Sequence, residues 1–128
     1  MTKKTSILLV DDDESLRQMY RLILEKAGYT FTSADDGIEG LARIREGGWD
    51  LILLDLMMPN LDGIGVLKAL QEEPGSGKHG PIVILSNAGY SPVAKEAQQL
   101  GAAGFLMKAD MLPKDLLVKV KEFLEKSS

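Results

Sequence analysis

Short apolar runs alternate with segments of helical periodicity along the chain, and this alternation constrains the fold more than any other feature. The runs predict five β-strands, at Ser6–Val10, Thr30–Ala34, Asp50–Leu54, Ile82–Leu85 and Ala103–Met107. After each run, apolar residues recur at the spacing of an amphipathic helix. Strands that alternate with helices predict an α/β fold, in which helices cover both faces of a parallel sheet.

Glycines and helix caps mark the predicted boundaries of the helices. The first, second and fourth helices end at glycines, at Gly28, Gly47-Gly48 and Gly101, and the fourth opens at Ser91-Pro92. The third helix covers Gly63–Glu72, and the fifth carries its apolar face over residues 116–124. The Thr30–Ala34 strand is more polar than the others, which favours a position at the edge of the sheet.

Composition excludes several classes of protein. The chain has 128 residues, which is the size of one domain. Its net charge of −4 gives no basic surface for nucleic acid. It has no cysteine and a single histidine, His79, so disulfides and multi-histidine metal sites are excluded. The apolar runs are too short for a signal peptide or a membrane span, and we expect a soluble, cytoplasmic protein. We predict one domain over residues 1–128, with a core from about 6 to 124 and no second domain.

Chemistry-bearing side chains follow four of the five predicted strands. Asp11, Asp12 and Asp13 follow the first strand, Asp55 the third, Ser86 the fourth and Lys108 the fifth. Because the carboxyl ends of parallel strands share one edge of the sheet, we expect these groups to converge where such folds bind their ligands.

A cluster of carboxylates predicts a bound cation. Carboxylates packed closely repel one another unless a cation lies among them, and Mg²⁺ prefers such oxygen ligands. Asp55 could then attack phosphorus and carry an aspartyl phosphate. Lys108 and Ser86 would supply the charge and the hydroxyl that stabilise the product.

Four motifs, taken in order, resemble the receiver domain of two-component response regulators, and the resemblance covers essentially the whole chain. They are Ile7-Leu-Leu-Val-Asp-Asp-Asp-Glu14, Asp50-Leu-Ile-Leu-Leu-Asp-Leu-Met-Met-Pro-Asn-Leu-Asp-Gly63, Pro81-Ile-Val-Ile-Leu-Ser86 and Gly101-Ala-Ala-Gly-Phe-Leu-Met-Lys108. The resemblance implies a flavodoxin-like, doubly wound sheet of five parallel strands in the order 2-1-3-4-5, with five helices. We also expect a stand-alone response regulator, with no output domain after the last helix.

The resemblance also implies a role for each site residue. Asp55 matches the phosphoacceptor; Asp11, Asp12, Asp55 and the backbone carbonyl of Met57 match the Mg²⁺ ligands; Lys108 matches the lysine that pairs with the phosphorylated aspartate; and Ser86 and Phe105 match the switch residues. The implied phosphoryl donor is a phosphohistidine on a sensor histidine kinase or a histidine phosphotransfer protein. The implied output is binding to a downstream protein or onward transfer of the phosphoryl group, with no direct nucleic-acid binding, no membrane insertion and no catalysis beyond the domain's own phosphorylation and dephosphorylation.

Three residues depart from the family's usual pattern. Ala109 follows Lys108 in place of proline, so we predict a trans peptide bond and a rerouted loop, which leaves the reach of Lys108 to Asp55 open. Asn87 follows Ser86 in place of a small residue, and we hypothesise that it narrows access to the site. Phe105 replaces the commoner tyrosine and keeps the aromatic ring without the hydroxyl.

Other interpretations of the same residues stay open. The chain could be a receiver-like module that signals without phosphorylation. An aspartate-nucleophile phosphatase would need an acid at Met57, and a flavin carrier would need a phosphate loop where Asp11–Asp13 stand. Asp13 is better explained as the N-cap of the first helix than as a ligand. Phe105 is equally consistent with a core aromatic and with a moving switch.

Overall fold

A computed structural model describes residues 4–73, 75, 77–87 and 91–126 of the chain. Five strands, β1 (Ser6–Val10), β2 (Thr30–Ala34), β3 (Leu51–Asp55), β4 (Ile82–Ser86) and β5 (Gly104–Met107), alternate with five α-helices, α1 (Glu14–Lys26), α2 (Gly37–Glu46), α3 (Gly63–Glu72), α4 (Pro92–Gln99) and α5 (Pro113–Lys126). The predicted alternation is therefore confirmed. The third strand lies one residue later than predicted, and the fourth and fifth strands each differ from the prediction by one residue at one end.

The strands form one parallel sheet in the order β2-β1-β3-β4-β5, which confirms the predicted fold class. Every residue of β3 and β4 is buried, as is usual for the centre of a sheet that is covered on both faces. The polar strand β2 lies at one edge, as its sequence predicts, and the short strand β5 lies at the other.

Successive residues of each central strand pack into opposite layers of the core. Leu9 and Leu53 lie in the layer under α1 and α5, whereas Val10 and Leu54 lie in the layer under α2, α3 and α4. Burial of each such side chain contributes about 1.5–3 kcal/mol to stability. The alternation fixes the register of the strands, because a slip of one residue would turn every side chain to the wrong layer. The register in turn decides which residue stands at the carboxyl end of each strand.

Polar side chains cap the first four helices at their N-termini. Asp13 accepts from the Leu16 N–H, and Asp36, Asp62 and Ser91 do the same for α2, α3 and α4. This confirms Asp13 as an N-cap, since its carboxylate satisfies a backbone donor that the helix leaves unpaired.

The chain after β5 continues directly into a short 3₁₀ turn at Lys108–Asp110. Among the described residues no peptide bond is cis, which confirms the predicted trans bond between Lys108 and Ala109. Within the same residues, no helix has the length and apolar character that crossing a membrane requires.

Candidate functional site

The acidic residues that the sequence predicts at the carboxyl edge lie together. Asp11 directly follows β1 and Asp55 ends β3, and these two strands are paired in the sheet. Asp11, Asp12 and Asp55 each offer one carboxylate oxygen, and these atoms lie within 4.8 Å of one another. Asp11 and Asp55 are buried, with exposed fractions of 0% and 4%, whereas Asp12 is exposed. The cluster therefore opens to solvent on the side of Asp12.

Lys108 is the cation that faces this cluster. Its Nζ lies 2.6 Å from Oδ2 of Asp11 and 3.3 Å from Oδ2 of Asp55, and only 12% of its side chain is exposed. The lysine therefore reaches both buried carboxylates with alanine at position 109. One ammonium faces three acidic side chains, and this imbalance leaves room for a further cation.

The surroundings of Asp55 disfavour its negative charge. Burial, with the nearby charge of Asp11, raises the pKa of the Asp55 carboxyl from 3.8 to about 6, although Lys108 and the Met57 N–H act in the opposite direction. Burial acts to lower the pKa of Lys108, but the hydrogen bond and charge of Asp11, together with Asp55, outweigh it and raise that pKa. Lys108 therefore stays charged at neutral pH, and Asp55 gives up its proton at about pH 6 rather than near pH 4.

Backbone contacts hold the two buried carboxylates in place. The Asp13 N–H donates to Oδ1 of Asp11 at 2.9 Å, and the Met57 N–H lies 3.4 Å from Oδ1 of Asp55. Sequence reasoning missed Arg17, whose Nη1 donates to the Asp11 carbonyl oxygen at 2.7 Å. The available signal was a basic residue in the first turn of α1, six positions after Asp11, where it can fold back over the acidic loop.

Ser86 lies at the same edge of the sheet as the acidic cluster. It ends β4 and is buried, and Leu85 beside it is paired with Asp55. Asn87, the next residue, is exposed and therefore lies on the rim of the site. The hydroxyl of Ser86 thus lies at the end of β4, the strand paired with the one that ends at Asp55, as the parallel topology requires.

Phe105 is partly buried on β5, and it lines two cavities. One cavity, of about 260 Å³, lies towards α4 and is lined by Ile84, Ala94 and Ala102. The other, of about 470 Å³, lies towards α5 and is lined by Met111 and Val118. The ring also packs against the core layer under α2, α3 and α4. Its position is compatible both with a core role and with movement between the two cavities.

Two other residues singled out in the sequence lie in contrasting places. Met57 is 76% exposed, and its backbone N–H lies 3.4 Å from an Asp55 oxygen, so the residue meets the acidic cluster through its backbone. His79 is exposed and precedes β4, at the amino edge of the sheet, and its ring nitrogen lies 2.6 Å from the Gly80 carbonyl oxygen. His79 therefore takes no part in the site.

The sequence matches the family described as the response regulator receiver domain over residues 7–121. The chain belongs to this family. Receiver domains are the phosphorylation-switch modules of two-component signalling rather than classical enzymes, and Mg²⁺ is typical of them. The identity of the family and the predicted fold are thus confirmed together.

Solved receiver structures share the whole fold. A CheY-like receiver domain protein from Methanospirillum hungatei JF-1 superposes with a TM-score of 0.85 at 31% identity, and the match covers 98% of this chain and 97% of that one. The chemotaxis protein CheY4 of Vibrio cholerae gives a TM-score of 0.83 at 32% identity, over 94% of this chain and 99% of that one.

The curated relatives are longer proteins. The transcriptional regulatory protein ResD of Bacillus subtilis (strain 168) is 35% identical over 127 residues, which are 99% of this chain and 51% of ResD. The DNA-binding response regulator MtrA of Mycobacterium tuberculosis (strain ATCC 25618 / H37Rv) is 34% identical over 98% of this chain and 53% of MtrA. This chain thus spans about half the length of these relatives.

Proposed function

We propose that this receiver domain accepts a phosphoryl group on Asp55 from a phosphohistidine of a sensor histidine kinase or a histidine phosphotransfer protein. The observation that carries the proposal is the pairing of one buried lysine with two buried aspartates, Lys108 with Asp11 and Asp55, beside the solvent-exposed Asp12. A purely structural ion pair would need one carboxylate. Three carboxylates around one ammonium form a site that a cation and a phosphoryl group would complete.

The proposed step is a simple displacement at phosphorus. A carboxylate oxygen of Asp55 forms a bond to phosphorus while the bond from phosphorus to the donor's imidazole nitrogen breaks, and the electron pair of that bond returns to the nitrogen. Asp55 attacks in its ionised form, which its pKa of about 6 makes the main form at neutral pH. Lys108 already lies 3.3 Å from an Asp55 oxygen, so its charge is in place to stabilise the phosphorylated product.

The donor atoms present fit Mg²⁺, which is a hard cation that binds carboxylate and carbonyl oxygens. Asp11, Asp12 and Asp55 would hold it together with the backbone carbonyl of Met57. When bound, the ion would offset the negative charge of the carboxylates and of the incoming phosphoryl oxygens.

We propose further that phosphorylation changes a protein-binding surface through Ser86 and Phe105. Ser86 lies at the edge of the site, and Phe105 lines two cavities, one towards α4 and one towards α5. A phosphoryl group that draws the Ser86 hydroxyl towards it would bias the ring between these two positions. A downstream protein would read the result. The expected cytoplasmic location and the action of residues 1–128 as a single-domain regulator remain parts of this proposal.

The test is intact mass spectrometry after incubation with a small-molecule phosphodonor such as acetyl phosphate, with and without Mg²⁺. The proposal expects one added phosphoryl group that requires Mg²⁺ and is absent in Asp55→Asn. Asp35→Asn, at an exposed acid near the start of α2, is the matched control and should gain the group as the unmodified protein does. An equal gain in Asp55→Asn would overturn the assignment.

Failure of the unmodified protein to gain mass would favour the alternative of a module that signals without phosphorylation. Repeating the incubation with a phosphorylated histidine phosphotransfer protein would separate that alternative from exclusion of the small donor by Asn87. Transfer from the protein donor alone would support the proposed function, whereas no transfer from either donor would overturn it.

A further inference from the structure

The loop between β3 and α3 has a strained backbone. Asn60 has a positive φ of 69°, and among the described residues it is the single non-glycine residue in that region. The Leu61 N–H donates to the Pro59 carbonyl oxygen at 2.7 Å, which closes a three-residue turn around Asn60. Turns of this kind with a positive central φ are rare and strained, and they persist only where the surroundings hold them.

The start of α2 holds this loop through one carboxylate. Oδ2 of Asp36 accepts from Nδ2 of Asn60 at 2.8 Å, while Oδ1 of Asp36 accepts from the Glu39 N–H at 2.9 Å. Asp36 therefore caps α2 with one oxygen and binds the loop with the other. The N–H of Glu39, followed by the amide of Asn60, lowers the pKa of the Asp36 carboxyl, so Asp36 makes both contacts as an anion at neutral pH.

Two glycines let the loop pack closely against its neighbours. Gly37 follows Asp36 directly, and a Cβ atom there would overlap the carbonyl oxygen of Leu61. Gly63 begins α3, and a Cβ atom there would meet the carbonyl oxygen of Asp55 at 2.5 Å. The loop is thus enclosed between the start of α2 and the end of β3.

We propose that Asp36 is a positioning residue for the metal site, which acts through Asn60 to fix the backbone at Met57. This inference rests on the proposed function, in which Met57 offers its carbonyl to the metal ion. The same loop already contacts the site, because the Met57 N–H lies 3.4 Å from an oxygen of Asp55. Partners that orient ligands from outside the coordination sphere typically change metal affinity about 10–100-fold when they are removed.

A helix cap alone does not account for this arrangement. Asp62 caps α3 in the same way, with its Oδ1 accepting from the Gly65 N–H at 2.7 Å, and no bond from Asp62 to another loop is found among the described residues. Serine caps a helix about as well as aspartate but is too short to bridge to Asn60. Asp36→Ser therefore separates the two roles, and Asp62→Ser is its matched control.

The experiment measures the Mg²⁺ affinity of the full chain by isothermal titration calorimetry. We expect Asp36→Ser to weaken Mg²⁺ binding about tenfold and Asn60→Gly to do the same, since glycine keeps the positive φ but removes the amide. The double variant should bind no more weakly than either single one, because both changes break one bond. Asp62→Ser should bind Mg²⁺ as the unmodified protein does.

Amide hydrogen exchange at Met57–Leu61 and thermal unfolding accompany the titrations. Faster exchange confined to this loop, with cooperative unfolding retained, is the expected result. If the unmodified protein binds no Mg²⁺, the proposed function itself fails. If it binds Mg²⁺ and the variants bind equally well, or if the two single effects add in the double variant, the positioning role of Asp36 is overturned and the proposed function stands.

Discussion

The acidic cluster at the sheet edge and the junction between α2 and the β3–α3 loop use the same residue type in opposite ways. In the cluster, Asp55 faces burial and the charge of Asp11, and its pKa is raised to about 6. At the junction, Asp36 faces the N–H of Glu39 and the amide of Asn60, and its pKa is lowered. Hydrogen-bond donors thus stabilise the ionised carboxylate of Asp36. The negative charge of Asp55 is disfavoured by its surroundings, and a bound cation would offset that penalty.

This difference is the one expected between a structural carboxylate and one with the proposed phosphoacceptor role. Asp36 gains stability from its folded environment, so its ionised form favours the folded state. Ionisation of Asp55 without a metal lowers the stability of the folded protein, which is typical of groups that are kept reactive. The fold supplies the stability that Asp55 lacks through the buried strands on either side of it.

Removal of Lys108, the cation paired with both buried carboxylates, should have the largest effect on this difference. In Lys108→Met, Asp11 and Asp55 remain buried without their partner, and we expect the free energy of unfolding to fall by about 3 kcal/mol at pH 7.5 without Mg²⁺. Urea unfolding with EDTA measures this loss, and added Mg²⁺ should restore part of it. Lys119→Met, which breaks an exposed pair with Glu122, should change stability by less than about 0.5 kcal/mol. Equal effects of the two substitutions would contradict the importance of the buried pair.

The raised pKa of Asp55 predicts that Asp55→Asn is more stable than the unmodified protein at pH 7.5 without Mg²⁺. Because the folded pKa of about 6 lies above the ordinary value of 3.8, the unmodified protein should lose stability relative to the variant as pH rises from about 4 to 6, with no further loss above that range. A shift of about two pKa units corresponds to a difference of up to about 3 kcal/mol. Urea unfolding at pH 4, 5, 6 and 7.5 in EDTA would follow it. A pH-independent difference would show that the environment of Asp55 does not disfavour its charge.

The rim of the cluster offers a smaller test. Asn87 is exposed directly after Ser86, and we expect Asn87→Ala to accept a phosphoryl group from a small donor a few times faster. The time course of mass gain at saturating Mg²⁺ measures the rate. Stability should be unchanged, since the side chain is on the surface. Unchanged rates would remove the basis for a gating role of Asn87.

The smallest expected effect lies at Asp36 and has the opposite pH dependence to that of Asp55. Since the folded pKa of Asp36 is lowered, its stabilising contribution is complete above the ordinary value of 3.8 and is lost as pH falls through the lowered value. The difference in melting temperature between the unmodified protein and Asp36→Ser should therefore be present at pH 7 and shrink at pH 2.5. A difference that grew on acidification would place Asp36 in the same class as Asp55.

Most of the fold could be predicted from local sequence patterns, and the deviations have local causes. The predicted third strand began at Asp50, but the carboxylate of Asp50 accepts from the Ser6 N–H at 2.8 Å, and the strand begins one residue later. This shift makes Asp55 the last residue of β3. The pattern of apolar residues does not reveal this shift, because an aspartate, Asp50 or Asp55, stands at each end of the same apolar run.

The sequence by itself determined the order of the elements, the helix caps and the edge of the sheet at which Asp11, Asp55, Ser86 and Lys108 lie. Periodicity and capping act over a few residues, and parallel strands place all their carboxyl ends on one side. Only the tertiary structure decided that Lys108 reaches both buried aspartates, that Arg17 holds the Asp11 carbonyl and that Asp36 binds Asn60. These contacts depend on how side chains from separate elements pack within about 3 Å of one another, and no spacing along the chain specifies that distance.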